Sequence, residues 1–286
     1  MMQKYKSQII MLILLLFVLA SSVTVFRIKE GQELVVTQNS GQNCMISFSE
    51  DGITVSDETM AAIDNHKVVI YKDGTYTVTG NCSNGQIVVN SMETEKVILN
   101  IEALDLTCMD SAPLYVENAS AVDLYIKGDN FLTDGSSYNL ANGETKPNAC
   151  LYSKKDLTIR GDGTLTIKAN YHNGISVRAD FKMKSGTVTV DAANNALDSK
   201  DSISIQGGSL SLSARKDGID AKNQEDTEKG TILISGGNIN IQADDDGMQA
   251  ANSVTVNDGE VTISSQGQQI NCEGTIEVAE NCVFVK

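Results

Sequence analysis

Between Ala196 and Ala250 the chain returns acidic side chains to matching points of a repeating phrase: Asp198, Asp217, Asp220, Asp244, Asp245 and Asp246. In register, ALDSKDSISIQGGSLSLSARKD is followed by GIDAKNQEDTEKGTILISGGNINIQADDD and then GMQA. Stacking these phrases aligns Ser176, Asp198, Asp220, Gln249 and Asn271 in one column, with Asn173, Asn195, Asp217, Asp246 and Gln268 in a second column just before it. Carboxylates on neighbouring rungs about 4.8 Å apart repel by about 0.9 kcal/mol in bulk water and several-fold more at a protein surface. A cation between them relieves the repulsion. Hard oxygen donors suit Ca2+, which takes about 6–8 oxygens at roughly 2.3–2.6 Å. The expected metal ligands are therefore Asp198, Asp217, Asp220 and Asp246, with Asn195 and Asp245 beside them, and the expected cofactor is Ca2+. Neither the EF-hand loop nor the GGxGxDxUx nonapeptide occurs, and a solvated acidic face is the competing reading.

Other chemistry is sparse. Arg178, Lys200 and Lys222 share one outward position two residues after the acidic column, with Arg215 and Lys216 near it. They are the candidate bases if the chain removes a proton alpha to a carboxylate, and solvated surface cations otherwise. Only His66 and His172 occur, and no Ser-His-Asp set is apparent. Six cysteines (Cys44, Cys82, Cys108, Cys150, Cys272 and Cys282) contain no CxxC pair, which with two histidines argues against zinc. Disulfides are permitted, Cys272 and Cys282 being closest in sequence. Tyr152 and Tyr171 are the nearby candidates for stacking a sugar ring.

The elements that must position these residues are strands. After Cys150 the second glycine of each turn falls at Gly163, Gly186, Gly208, Gly237 and Gly259, spaced 23, 22, 29 and 22 residues. The long spacing holds a polar insert, Asn223 to Lys229. An alternating segment follows every marker: TLTIKA, TVTVDA, SLSLSA, NINIQA and EVTISS. A period near 22 without helical periodicity or the leucine-rich signature predicts an all-β, right-handed parallel β-helix, an open solenoid. Ile203, Ile205, Leu210, Leu212, Ala214 and Ile219 are expected to face inward, and Ser202, Ser204, Ser209 and Ser211 outward.

Residues Ile9 to Phe26 form an apolar or small run of 18, flanked by Lys4, Lys6, Arg27 and Lys29. This reads as a signal peptide or signal anchor over 1–29, placing the rest outside the cell, secreted or membrane-anchored. The remainder, 30–286, is expected to be one domain, with an N-terminal cap and first strands over 30–73 and coils over 74–286. Beyond the N-terminal segment, 18 basic residues face 37 acidic ones, a balance of −19. That excludes nucleic acid as a partner, because phosphate neutralisation needs the opposite sign. Membrane contact is expected only through the N-terminal segment, and the chain is expected to be a monomer.

GQIVVN at Gly85 to Asn90, APLYVENASAVDLYI at Ala112 to Ile126, NFLTDG at Asn130 to Gly135 and the ISGGNINIQADDDGMQA phrase resemble the exported carbohydrate-binding β-helix proteins of anaerobic plant-fibre-degrading bacteria. The resemblance covers roughly 74–251. It implies a pectate-lyase-like coil that binds calcium and plant cell-wall polysaccharide such as polygalacturonate (pectin), with cellulose as a further ligand. Family Asp-Gly turns carry calcium ligands, which here map to Asp217, Asp220 and Asp246; Asn195-Ala196 and Gln268-Gln269 depart from that pattern. The function expected is calcium-dependent, non-catalytic binding of acidic polysaccharide. A calcium-dependent polysaccharide lyase and a surface adhesin or spacer with structural calcium are the alternatives.

Overall fold

The computed structural model describes residues 43–140, 146–280 and 283–285. The expected signal segment, 1–29, lies outside them. Every regular element among the described residues is a strand, and no helix there is long and apolar enough to cross a membrane. The alternation seen in the sequence decides which side chains enter the core. Ile203, Ile205, Leu210, Leu212 and Ile219 are 2% exposed or less, whereas Ser202, Ser204, Ser209 and Ser211 are half-buried on the opposite face.

The connectivity corrects the open right-handed solenoid. Pairing runs from Val97–Cys108 through Asp129–Asp134, Thr164–Ala169, Thr187–Ala192 and Ser209–Ala214 to Thr231–Ala243. It returns through Ser202–Ile205, Phe181–Met183, Leu157–Gly161 and Val122–Lys127 to Val97–Cys108. Ten parallel strands thus close on themselves as a barrel, and a second ten-stranded sheet lies outside it. Closure depends on two long strands that each serve two partners. Val97–Glu102 pairs with Val122–Lys127, whereas Asp105–Cys108 pairs with Phe131–Asp134. Between the halves, Ala103 takes a positive φ of 50°. Thr231–Ala243 is divided in the same way between Ser202–Ile205 and Ser209–Ala214. The turn there passes through Gly237 at φ 102°, where a Cβ would lie 2.9 Å from the Gly208 carbonyl oxygen.

The outer sheet positions the residues singled out above. It contains Ala149–Ser153, Asn173–Val177, Leu197–Ser199, Ile219–Ala221, Met248–Ala250 and Ile270–Cys272 in successive parallel pairing. The register pairs Ser176 with Asp198, Asp198 with Asp220, Asp220 with Gln249 and Gln249 with Asn271, as the stacked phrases require. At the N-terminal end, antiparallel pairs close both sheets: Asn43–Ser49 with Gly52–Val55, and Ala61–Asp64 with Lys67–Ile70. The polar insert is largely exposed and winds around Asn252, whose amide donates to the carbonyl oxygens of Asn223, Asp226 and Lys229 at 3.1, 3.1 and 2.6 Å. Five cysteines, Cys44, Cys82, Cys108, Cys150 and Cys272, are free; Cys282 lies outside the described residues.

Candidate functional site

The two columns meet at the edge of the outer sheet and form a hydrogen-bonded ladder. Each turn residue accepts the backbone N–H of the turn residue one rung on. Asn173 Oδ1 accepts from Asn195 N at 3.3 Å, Asn195 Oδ1 from Asp217 N at 3.2 Å, and Asp217 Oδ1 from Asp246 N at 3.3 Å. Asp246 Oδ1 then accepts from Gln268 N at 2.7 Å. At Asn173, Asn195 and Asp246 the remaining side-chain atom reaches the neighbouring column. Asn173 Nδ2 donates to Asp198 Oδ2 at 3.2 Å, and Asn195 Nδ2 to Asp220 Oδ2 at 3.0 Å. At Asp246 the polarity inverts, since Asn271 Nδ2 donates to Asp246 Oδ2 at 2.6 Å. Amide thus faces carboxylate at each of these contacts, so the ladder satisfies buried polar groups that would otherwise each cost about 1–3 kcal/mol.

Six residues named from the sequence as metal ligands fall into two groups. Asp198 and Asp220, 1% and 5% exposed, share the Lys222 ammonium, which lies 3.1 Å from Asp220 Oδ2 and against Asp198 Oδ1. Asp198 Oδ2 also accepts from Ser176 Oγ at 2.7 Å. Asn195 belongs to this group through its bond to Asp220. Burial raises the Asp220 carboxyl pKa above the usual value; Lys222 opposes that rise, and the Asp198 charge adds to it. Asp217, Asp245 and Asp246 make the second group, with ligating oxygens all within 4.8 Å of one another. Asp217 and Asp246 are buried and Asp245 is exposed. Lys216 Nζ sits 2.8 Å from Asp217 Oδ2 with its side chain 46% exposed, so it can leave that oxygen at little cost. Three carboxylates with one displaceable lysine fit a hard cation; the pair already bridged by Lys222 holds its counter-ion in place. Asp244 stands apart, accepting from Gln266 at 3.1 Å.

Beside the first group opens a cleft of about 460 Å3, lined by Lys146, Asn148, Tyr171, His172, Asn194 and Lys222 among others. Among the described residues no donor reaches the buried Asn148 Oδ1. His172 Nδ1 lies 2.9 Å from Asn173 Oδ1, and burial holds its pKa below the usual histidine value. Lys146 is also held below the usual lysine range, by burial and, of the nearby charges, by Arg178 and Lys222, with Asp198 opposing. Tyr171 is stacked on Tyr138 with centroids 4.2 Å apart. Tyr138 Oη donates to Asp134 Oδ2 at 2.7 Å, and Asp134 Oδ1 accepts from the backbone N–H of Asn170 at 2.5 Å. A buried carboxylate thereby fixes the backbone that carries Tyr171 into the cleft. Tyr152, the other aromatic expected to stack a sugar, is 2% exposed and belongs to the packing.

Basic residues make a third column. Lys154, Arg178, Lys200 and Lys222 occupy one position on four consecutive rungs, each donating its backbone N–H to the preceding rung. Three of them were visible as sharing a position in the sequence. Lys154 was not, because it stands 24 residues before Arg178 rather than 22.

A profile of the family described as carbohydrate-binding domain-containing protein matches residues 64–282. The chain belongs to that family. A relative of the same description from Acetivibrio thermocellus is 37% identical over 153 residues, 52% of this chain and 54% of that protein, so the chain spans about half of its length. A solved structure described as a polysaccharide lyase-like protein from C. thermocellum, in a gadolinium derivative, superposes with a TM-score of 0.81 at 36% identity. It covers 86% of this chain and the whole of that one.

Proposed function

We propose that the chain is an exported, non-catalytic carbohydrate-binding protein for acidic plant polysaccharide such as polygalacturonate, dependent on Ca2+. The basic column carries this reading. In a chain whose balance beyond the N-terminal segment is −19, Lys154, Arg178 and Lys200 stand on successive rungs about 4.8 Å apart, while Lys222 on the next rung stays with Asp198 and Asp220. A linear polyanion laid across those three rungs meets one cation on each. Asn194 offers a partner to hydroxyls, and Tyr171 offers a ring face. Ca2+ would be held by Asp217, Asp245 and Asp246, where it supplies a positive centre that bridges to uronate carboxylates and staples two neighbouring rungs. Export rests on the flanked apolar run 9–26.

The test is retention on insoluble polygalacturonate with calcium and with chelator. Retention that chelation abolishes supports the reading; retention indifferent to chelation removes calcium from it, and no retention removes the ligand. A lyase reading is favoured by one observation, the lowered pKa of Lys146 in the cleft, which suits a base. Ultraviolet absorbance from unsaturated uronides would reveal it.

A further inference from the structure

Far from the acidic ladder, three residues distant in sequence converge on one point. His66, in the turn between Ala61–Asp64 and Lys67–Ile70, meets Cys108 and Asp110 at the end of Val97–Cys108. Asp110 Oδ1 lies 3.8 Å from Cys108 Sγ and 3.9 Å from His66 Nε2, and all three ligating atoms are within 4.8 Å of one another. A point equidistant from such a triangle is about 2.5 Å from each corner, against roughly 2.3 Å for Zn–S and 2.0–2.2 Å for Zn–N and Zn–O, so contraction by a few tenths of an ångström suffices.

We propose that His66, Cys108 and Asp110 form a zinc-type site with an open fourth position. The donor set is one thiolate, one imidazole and one carboxylate, as a borderline-soft ion with open coordination requires. Asp110 is already oriented for the task. Asn139 Nδ2 donates to its Oδ2 at 3.0 Å and Asn139 N to its backbone carbonyl at 2.8 Å, leaving Oδ1 turned toward the other two. Cys108 is fully buried, and its Sγ lies against Asp110 Oδ1 and the backbone N–H groups of Asp110 and Ser111. His66 and Asp110 have side chains 40% and 39% exposed, which leaves a path for the ion. The absence of CxxC spacing hid this site, because two turns supply the ligands.

The test is titration of the reduced full chain with Co2+, read as the near-ultraviolet thiolate-to-cobalt charge-transfer band and the visible bands of tetrahedral Co2+, with Zn2+ competing. One equivalent should give both bands, and Zn2+ should bleach them. Cys108→Ser should lose the charge-transfer band. Asn139→Ala should weaken binding by about 10–100-fold. His66→Asn alters an exposed side chain and keeps the test valid if the serine variant fails to fold; it should weaken binding about tenfold or more. Absence of a thiolate band in the unsubstituted chain overturns the proposal, as does a band that survives Cys108→Ser or His66→Asn at unchanged affinity.

Discussion

Lys222→Met removes the one charge that Asp198 and Asp220 share. Both carboxylates are buried, and their strands pair directly, so the charges lie about 4.8 Å apart. At an effective dielectric of about 20 their uncompensated repulsion is about 3.5 kcal/mol, within the roughly 3–5 kcal/mol expected on breaking a buried ion pair. For a domain of this size that corresponds to a fall of about 7–14 °C in melting temperature. The sign of the pH dependence follows from Asp220. Burial already raises its folded pKa above that of the unfolded chain, so its charged form opposes folding. Losing Lys222 raises it further. The deficit of the variant should therefore be full near neutral pH and shrink as pH falls through that raised pKa and Asp220 takes up a proton. Thermal melts of both proteins from pH 8 to pH 5 measure it. A deficit independent of pH, or none at pH 7, would refute the argument.

Two further outcomes follow from the same geometry. Asn252→Ala leaves three backbone carbonyls of the 223–229 insert without their shared donor, and should cost about 1–3 kcal/mol and expose the insert to limited proteolysis. Added Ca2+ should raise the melting temperature of the unsubstituted chain, with a clearly smaller rise in Asp245→Asn; Asp245 is exposed, so that variant should match the parent when calcium is absent.

The repeat and the register were legible because side-chain alternation and stacked glycines are local facts. The pairing of Asp198 with Asp220 follows from counting residues between Gly-Gly turns. Barrel closure was not legible. It depends on Ala103 and Gly237 turning two strands without ending them, and an alanine at positive φ has no sequence signature. Nor was the depth of the ladder: Asp198 in the acidic column is 1% exposed, since Lys222 and the asparagine turns cover it. Sequence placed Lys222 two residues beyond Asp220 but could not show its side chain folding back onto two carboxylates. Asp245 gained weight for the opposite reason, because the turn curls it toward Asp217 and Asp246.

The central claim, that acidic polysaccharide binds across the basic column and cleft, is tested most directly by calorimetric titration of an oligogalacturonate in calcium. The unsubstituted chain should bind. Arg178→Ala combined with Tyr171→Ala, which takes one cation and the ring face from the path, should weaken binding by about tenfold or more, in line with about 1–2 kcal/mol for the pair. Equal affinity in the two proteins would contradict the account and place the ligand elsewhere.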